Sequence, residues 1–587
     1  MRVINLLLKL RRSSISDAAV LTHEGGLTAF DSMMGRKALG SIVLSLLSVC
    51  VVSIHGEAFA RTSGSPTCFY PTSVVCGGLP GSFQLNRSTA ILVGHEGEKN
   101  AEFLRDEIEK ACGLRLSVRR TQGGLQKPNA ISLLLANKKV DVPEPAKEIL
   151  WNKEAYYLSA NDDYVLITGS DLRGQFYGLI TLLQLIDPET RAIAQVEVSD
   201  WPKMVFRGLR GHFPKNTPEE IENFKRIIRA MAFCRLNQLW IRDLYVRRFP
   251  ASVRWDSHPE ISDEDALPKA VVKELIDYAA RYNVKIMGSL ASTADNIWSI
   301  YPHLIEMDAN ESPFTVNVKA EKEKGRTSRY RFGSRFNFCP SKEETYKLLF
   351  DLIEEMAPLF SSEVFDLGID EVDQPYNGSR WVACALCKGK DPVKLFADFI
   401  NRLADHVTAR GKTPLINSSS FIKGHAGDFH DIYKSVSLIR KNIIINNWSE
   451  KHIRATDWGF FNHLSKFKST EYFRQYGLER MVHLVGYERR WKDRPELLET
   501  KGFLDCYGAC VTHYKYMTDG QFGIKPTIDD MTFSGSHFWK PNDPEIGSER
   551  EETHLSYARC VVQGILQGKT FLHAISDARS RHQIAVK

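Results

Sequence analysis

A chain of 587 residues that is 43% hydrophobic, 25% charged and 10% aromatic excludes a disordered, collagen-like or polytopic membrane protein. Its 77 Lys and Arg against 71 Asp and Glu leave a net charge of +6, too thinly spread to expect a nucleic-acid partner. The length exceeds the roughly 250–300 residues at which one core stops growing, so more than one domain is expected.

Taken in chain order, the first pattern lies at residues 35–60. Arg36-Lys37 precede an apolar run from Ala38 to Ile54, and a small-x-small ending closes at Ala60. This is the layout of a secretory signal, with an uncleaved membrane anchor as the alternative. The 32 residues ahead of Met33 and Met34 are unusual for a signal, and translation from either Met restores a normal layout. The expected location is periplasmic or extracellular, or anchored by this segment. Loss of residues 1–60 removes six cations and four anions, leaving +4, and removes Cys50 from the 11 cysteines. Cys384-x-x-Cys387 and Cys506-x-x-x-Cys510 have no Cys or His nearby at ligand spacing. They are read as disulfides or buried thiols rather than zinc ligands, and no metal or cofactor is expected.

Residues 61–200 mix short apolar runs (91–94, 131–136, 155–158, 164–168) with helical spacing at 101–111 and 175–185. They predict a small α+β accessory domain closed by Asp200-Trp-Pro202. From residue 201 to 587, strand-like runs alternate with helices. The runs are 204–209, 238–244, 284–290, 364–369, 414–417, 443–448, 481–487 and 532–539. Helices are read at 269–282, 392–409 and 549–567, with capping boxes at Thr217-Pro-Glu-Glu220 and Ser341-Lys-Glu-Glu344. This is the count of a (β/α)8 TIM barrel in the α/β class. A doubly wound sheet competes, but no strand is followed by a Gly-rich phosphate loop.

Barrel chemistry sits at the C-terminal ends of strands. Of the Asp-Glu pairs at 106–107, 263–264 and 370–371, only Asp370-Glu371 ends an apolar strand. Adjacent carboxylates diverge, so they cannot flank a glycosidic bond as acid and nucleophile. They can divide the work when the substrate's own 2-acetamido oxygen attacks the anomeric carbon. Trp448, Tyr487 and Trp539 are read at the ends of the sixth, seventh and eighth strands, with Trp491 close behind. Such aromatics stack on sugar faces or hold a carbonyl oxygen.

On these residues the chain resembles family 20 glycoside hydrolases, the β-N-acetylhexosaminidases. Gly174–Leu185 is similar to the helix closing that family's small N-terminal domain, and Phe206-Arg-Gly208 to its first-strand signature. Cys339–Tyr346 resembles the segment leading to the catalytic strand. Leu367-Gly-Ile-Asp-Glu-Val372 is similar to the catalytic core motif, and Gly535-Ser-His-Phe-Trp539 to the last-strand motif. The resemblance implies a zincin-like N-terminal domain ahead of the barrel and Glu371 as general acid/base. It further implies Asp370 orienting the acetamido group, Trp448 and Trp539 in the pocket wall, and Tyr487 on the acetamido oxygen. The motif's His is here Asp366 and its second Gly Ile369. The register of the family's sugar-binding Arg holds Lys215, for which Arg210 is the candidate substitute. The second strand ends Trp240-Ile-Arg-Asp243, the third Gly288-Ser289, and Lys540-Pro541 follows the last Trp. An oligosaccharide or glycoconjugate is the expected partner. Two other readings stay open: a catalytically silent carbohydrate-binding barrel, and a glycosidase for another sugar such as a uronic acid, drawing on Arg210, Lys215 and Arg242.

Overall fold

The computed structural model describes residues 70–71, 75–94, 96–121, 127–136, 144–241, 253–290, 292, 297–298, 300–310, 337–372, 381–423, 426–447, 469–486, 507–512, 514–516, 522–524, 528–540 and 548–582. The apolar segment expected to direct export lies outside them. Among the described residues no helix is long and apolar enough to cross a membrane.

The small domain is built on strands β1 (Val75–Gln84), β2 (Ala90–Val93), β3 (Ser117–Arg120), β4 (Ala130–Leu135), β5 (Tyr156–Ala160), β6 (Tyr164–Gly169) and β7 (Ala192–Asp200). They form one sheet in the order β1-β7-β5-β6-β4-β2-β3. Its parallel part is β3, β2, β4 and β6, and β5, β7 and β1 follow, each antiparallel to its neighbour. The predicted apolar runs correspond to β2, β4, β5 and β6. Strands β1 and β3 escape that pattern for physical reasons. Three Gly and a Pro make β1 read as turns, and β3 is an edge strand whose side chains are mostly exposed. Helices α1 (Glu98–Cys112), α2 (Glu144–Ile149) and α3 (Leu172–Leu183) complete the domain. α3 starts where Asp171 accepts hydrogen bonds from Arg173 N and Gly174 N, and its residues from Gly174 on are all buried. A Cβ added at Gly174 would lie 2.0 Å from Ala155 O, so glycine is what lets this helix approach the sheet.

Eight parallel strands follow: β8 (Phe206–Gly211), β9 (Gln238–Ile241), β10 (Lys285–Met287), β11 (Val364–Asp366), β12 (Thr413–Asn417), β13 (Ile444–Asn447), β14 (Met481–Gly486) and β15 (Gly508–Thr512). Their order is β10-β9-β8-β15-β14-β13-β12-β11, and a Ser289–Asp366 bridge joins the two ends into a barrel. Helices α4 (Pro218–Phe233), α5 (Lys269–Arg281), α6 (Glu343–Met356), α7 (Pro392–Ala409) and α8 (Ser469–Gln475) lie between strands; α9 (Ile528–Trp539), α10 (Glu549–Leu566) and α11 (Phe571–His582) follow the last. One inward residue per strand, from Phe206 and Trp240 round to Val482 and Cys510, makes a closed apolar layer. Strand alternation makes the next inward positions toward the C-terminal ends polar: Asp366, Asn417 and Asn446.

Two expectations change, and a third, on the paired cysteines, is narrowed to buried thiols at Cys384 and Cys387. Thr532–Trp539 is not the eighth strand but the end of helix α9; the eighth strand is β15, paired with both β14 and β8. α9 is buried almost all round, so its apolar residues show no helical period. The capping box read at Ser341 is displaced by one: Lys342 is the N-cap of α6, and Ser341 Oγ contacts Cys387 and Lys390 instead. Cys384 and Cys387 are both free thiols, whereas Cys506 lies outside the described residues.

The two domains meet through a buried polar cluster at the N-terminal end of β8. Arg207 on β8 pairs with Glu154 and donates to Tyr177 Oη at 3.1 Å. Arg235, just after α4, pairs with Asp200 at 2.7 Å, and Trp539 Nε1 donates to the same Asp200 Oδ2 at 3.0 Å. Both guanidiniums lie over the Trp539 ring, at 5.2 and 4.4 Å from its centroid.

Candidate active site

Strand β11 ends because Asp366 Oδ1 accepts from Gly368 N at 2.8 Å, while Gly368 takes φ +59°. The chain then runs Ile369-Asp370-Glu371-Val372 at the C-terminal mouth. Ile369 and Val372 are buried in the core and leave Asp370 and Glu371 half-buried between them. Glu371 has φ +48°, a left-handed conformation unfavourable for a residue with a Cβ. Two hydroxyls from the turn after β12 hold it there. Ser419 Oγ accepts from Glu371 N at 2.8 Å, and Ser420 Oγ accepts from Val372 N at 3.0 Å. Ser419 Oγ also donates to Asp370 Oδ1 at 2.8 Å. A single hydroxyl therefore fixes the backbone of one carboxylate residue and the side chain of its neighbour.

The signal that the sequence holds for Ser419 and Ser420 is a serine run, Asn417-Ser-Ser-Ser-Phe421, at the end of a barrel strand. A hydroxyl run looks like a polar loop until the fold places it beside β11.

The lumen under the pair carries a second arrangement. Trp240 Nε1 donates to Asp366 Oδ2 at 3.1 Å, and the buried Arg210 guanidinium lies 4.0 Å above the Trp240 ring. Burial pushes the Cys510 thiol up to about 12, with Arg210 opposing and Asp366 adding to the effect. Arg210 and Asp366 thus act on the same point in the barrel interior. Two of the places where the sequence departs from the family pattern, Asp366 and the Trp240 strand end, are partners of each other.

The expected site residues separate. Asp370 and Glu371 stand at the mouth, and Arg210 lies in the lumen. Lys215 is exposed on the turn between β8 and α4. Trp448, Tyr487, Trp491 and Arg242 lie outside the described residues. Trp539, expected in the pocket wall, is buried in the domain junction at the opposite end of the barrel. Its backbone O accepts from Lys203 N at 2.9 Å, just ahead of β8. The reason is that its segment is a helix packed outside the strands, not a strand ending at the rim.

Residues 70–201 match the domain described as "Glycosyl hydrolase family 20, domain 2", and residues 217–460 match "Glycosyl hydrolase family 20, catalytic domain". A β-hexosaminidase of Porphyromonas gingivalis is 24% identical over 380 residues, covering 58% of this chain and 44% of that protein. A β-hexosaminidase subunit beta of Entamoeba histolytica is 23% identical over 334 residues, covering 53% of this chain and 56% of that protein. The chain therefore spans about half the length of these curated relatives. The solved structure of an exo-β-N-acetylglucosaminidase from Vibrio harveyi superposes with a TM-score of 0.60 at 14% identity, over 86% of this chain and 79% of that one. At that identity the likeness speaks for the fold. With both domain matches in the order that the sheet and barrel follow, the chain belongs to glycoside hydrolase family 20.

Proposed function

We propose that the protein is an exo-acting, retaining glycoside hydrolase that removes terminal β-linked N-acetylhexosamine. The observation that carries this reading is the Asp370-Glu371 pair at the mouth of β11, oriented through Ser419. Glu371 protonates the leaving oxygen. Asp370, held on one oxygen by Ser419, orients the substrate's acetamido N–H so that the carbonyl oxygen attacks the anomeric carbon. An oxazolinium intermediate forms, and Glu371 then takes the proton of the incoming water. The relatives' printed names, β-hexosaminidases, support the substrate class.

Turnover of an aryl N-acetyl-β-glucosaminide tests it. Glu371→Gln is expected to lower kcat by about 10²–10⁴-fold, the range for a lost general acid. Asp370→Asn should lower kcat sharply with little change in ground-state affinity. Wild-type rates in both variants would remove the pair from the chemistry. Calorimetric sugar binding without any turnover by the wild type would identify a silent binding barrel instead.

The segment at 35–60 supports export of this enzyme, by cleavage after Ala60. Mass spectrometry of the mature N-terminus checks it, and a chain still carrying residues 38–54 at the membrane would mean anchoring.

A further inference from the structure

Three loops converge at the C-terminal side of β10 and β11. The first, 304–307, is bridged to the second, 337–339, by Ile305–Phe338 pairing, with Glu306 N donating to Asn337 O and Cys339 N to Leu304 O. The third is the turn Cys384-Ala-Leu-Cys387, in which Cys387 N and Lys388 N both donate to Cys384 O. This turn comes after the catalytic pair and leads into α7.

At the meeting point, Cys339 Sγ lies 3.4 Å from Cys384 Sγ and 3.6 Å from Cys387 Sγ, and none of the three is in a disulfide. A carboxylate oxygen of Glu306 completes a group of four donor atoms, all within 4.8 Å of one another, and all four residues are buried. Four ligands around one tetrahedral zinc, with Zn–S of about 2.3 Å, place neighbouring sulfurs about 3.8 Å apart. The observed separations need only slight expansion. Glu306 adds an independent observation. Its Oε1 accepts from Cys384 N at 2.9 Å, but Oε2 is fully buried with no hydrogen-bond partner among the described residues. A buried carboxylate oxygen beside three thiols calls for a cation. The surroundings also fit: Ser341 Oγ lies 3.1 Å from Cys387 Sγ, a hydroxyl placed to support that sulfur as a ligand.

We propose that Glu306, Cys339, Cys384 and Cys387 form a structural zinc site that ties the loops flanking the catalytic strand into one unit. Three thiolates and a carboxylate leave no open position, so the site is a staple and not a second reaction centre. On zinc binding the three thiols each release a proton, and the Ser341 hydroxyl donates to the Cys387 thiolate. Residues 45 and 48 positions from Cys339 become its neighbours only through the barrel.

The test uses the full chain purified without chelator. A mercurial that displaces thiolate-bound metal should release about one zinc per chain into a chromogenic indicator. Replacement by cobalt should give the thiolate charge-transfer band and the intense d–d absorption of a tetrahedral site. Ser341→Ala, which keeps all four ligands, should weaken zinc retention about tenfold. Cys387→Ser should abolish the cobalt spectrum; if that variant fails to fold, the wild-type metal content and spectrum still decide. No bound zinc after reconstitution of the reduced wild-type chain, or peptide mapping that finds a disulfide among the three cysteines, would overturn the site. Because metal content is read without turnover, its failure is separate from failure of the proposed hydrolysis.

Discussion

Ser419 is the residue on which the two candidate catalytic groups converge. Its hydroxyl accepts from Glu371 N and donates to Asp370 Oδ1, both at 2.8 Å. Each bond contributes about 1 kcal/mol, and the second fixes a carboxylate that must be aimed before the substrate can act as nucleophile. Ser419→Ala is therefore expected to lower kcat about tenfold, with KM nearly unchanged because no sugar contact is assigned to it. Steady-state kinetics on an aryl glycoside separate this from a folding defect, which would lower the active fraction but leave the pH profile alone. Asp370 and Glu371 were legible because an Asp-Glu pair ending an apolar run is rare in this chain. Ser419, Trp240 and Asp366 were not, since each is joined to its partner across strands that are distant in sequence.

At the scale of elements, α9 shows what pattern alone misreads. Its residues touch the barrel, α4 and the segment at Tyr70, so almost every side is buried and the run looks like a strand. Gly535 marks the close approach: a Cβ there would meet Cys234 O at 2.4 Å. Trp539 ends this helix at a junction that also needs Arg235 and Asp200, an ion pair of zero exposure on both sides. Arg235 donates as well to Thr181 Oγ1 at 2.6 Å and Tyr156 Oη at 3.1 Å. Arg235→Ala would leave Asp200 buried without its cation, at a cost of about 3–5 kcal/mol. Chemical denaturation should show that loss, and a change below about 1 kcal/mol would mean the pair is solvated in solution.

Across the whole molecule, the junction makes the small domain and the barrel one body. α11 adds to it from the C-terminal side, where Arg579 donates to Ile186 O at 2.8 Å and Phe571 packs edge-on against Phe103. The junction also sets acid stability. Burial opposes the charged form of Glu154, but the Arg207 and Arg173 guanidiniums overcome it and hold its carboxyl below the ordinary 4.5. A folded-state value lower than the unfolded one gives stability that is present above about pH 4.5 and lost as the pH falls through the folded value. Thermal melts from pH 7 downward should show one transition whose midpoint drops below about pH 4.5. Glu154→Gln should lower the midpoint at pH 7 and flatten that acid limb. An unchanged acid limb would assign the lability to other carboxylates.

The sequence by itself determined the alternation of apolar runs and helices, seven of the eight barrel strands, and the one carboxylate pair at a strand end. These follow from local periodicity and from where a strand stops, and a chain carries both without knowing its neighbours. Tertiary structure decided the rest. It made β15 the closing strand and moved Trp539 from the rim to the domain junction. It paired Asp366 with Trp240 and brought Cys339 and Glu306 to the Cys384-x-x-Cys387 turn, which had no ligand partner within reach along the chain. Contacts between distant segments depend on barrel closure, and closure is a property of all eight strands together.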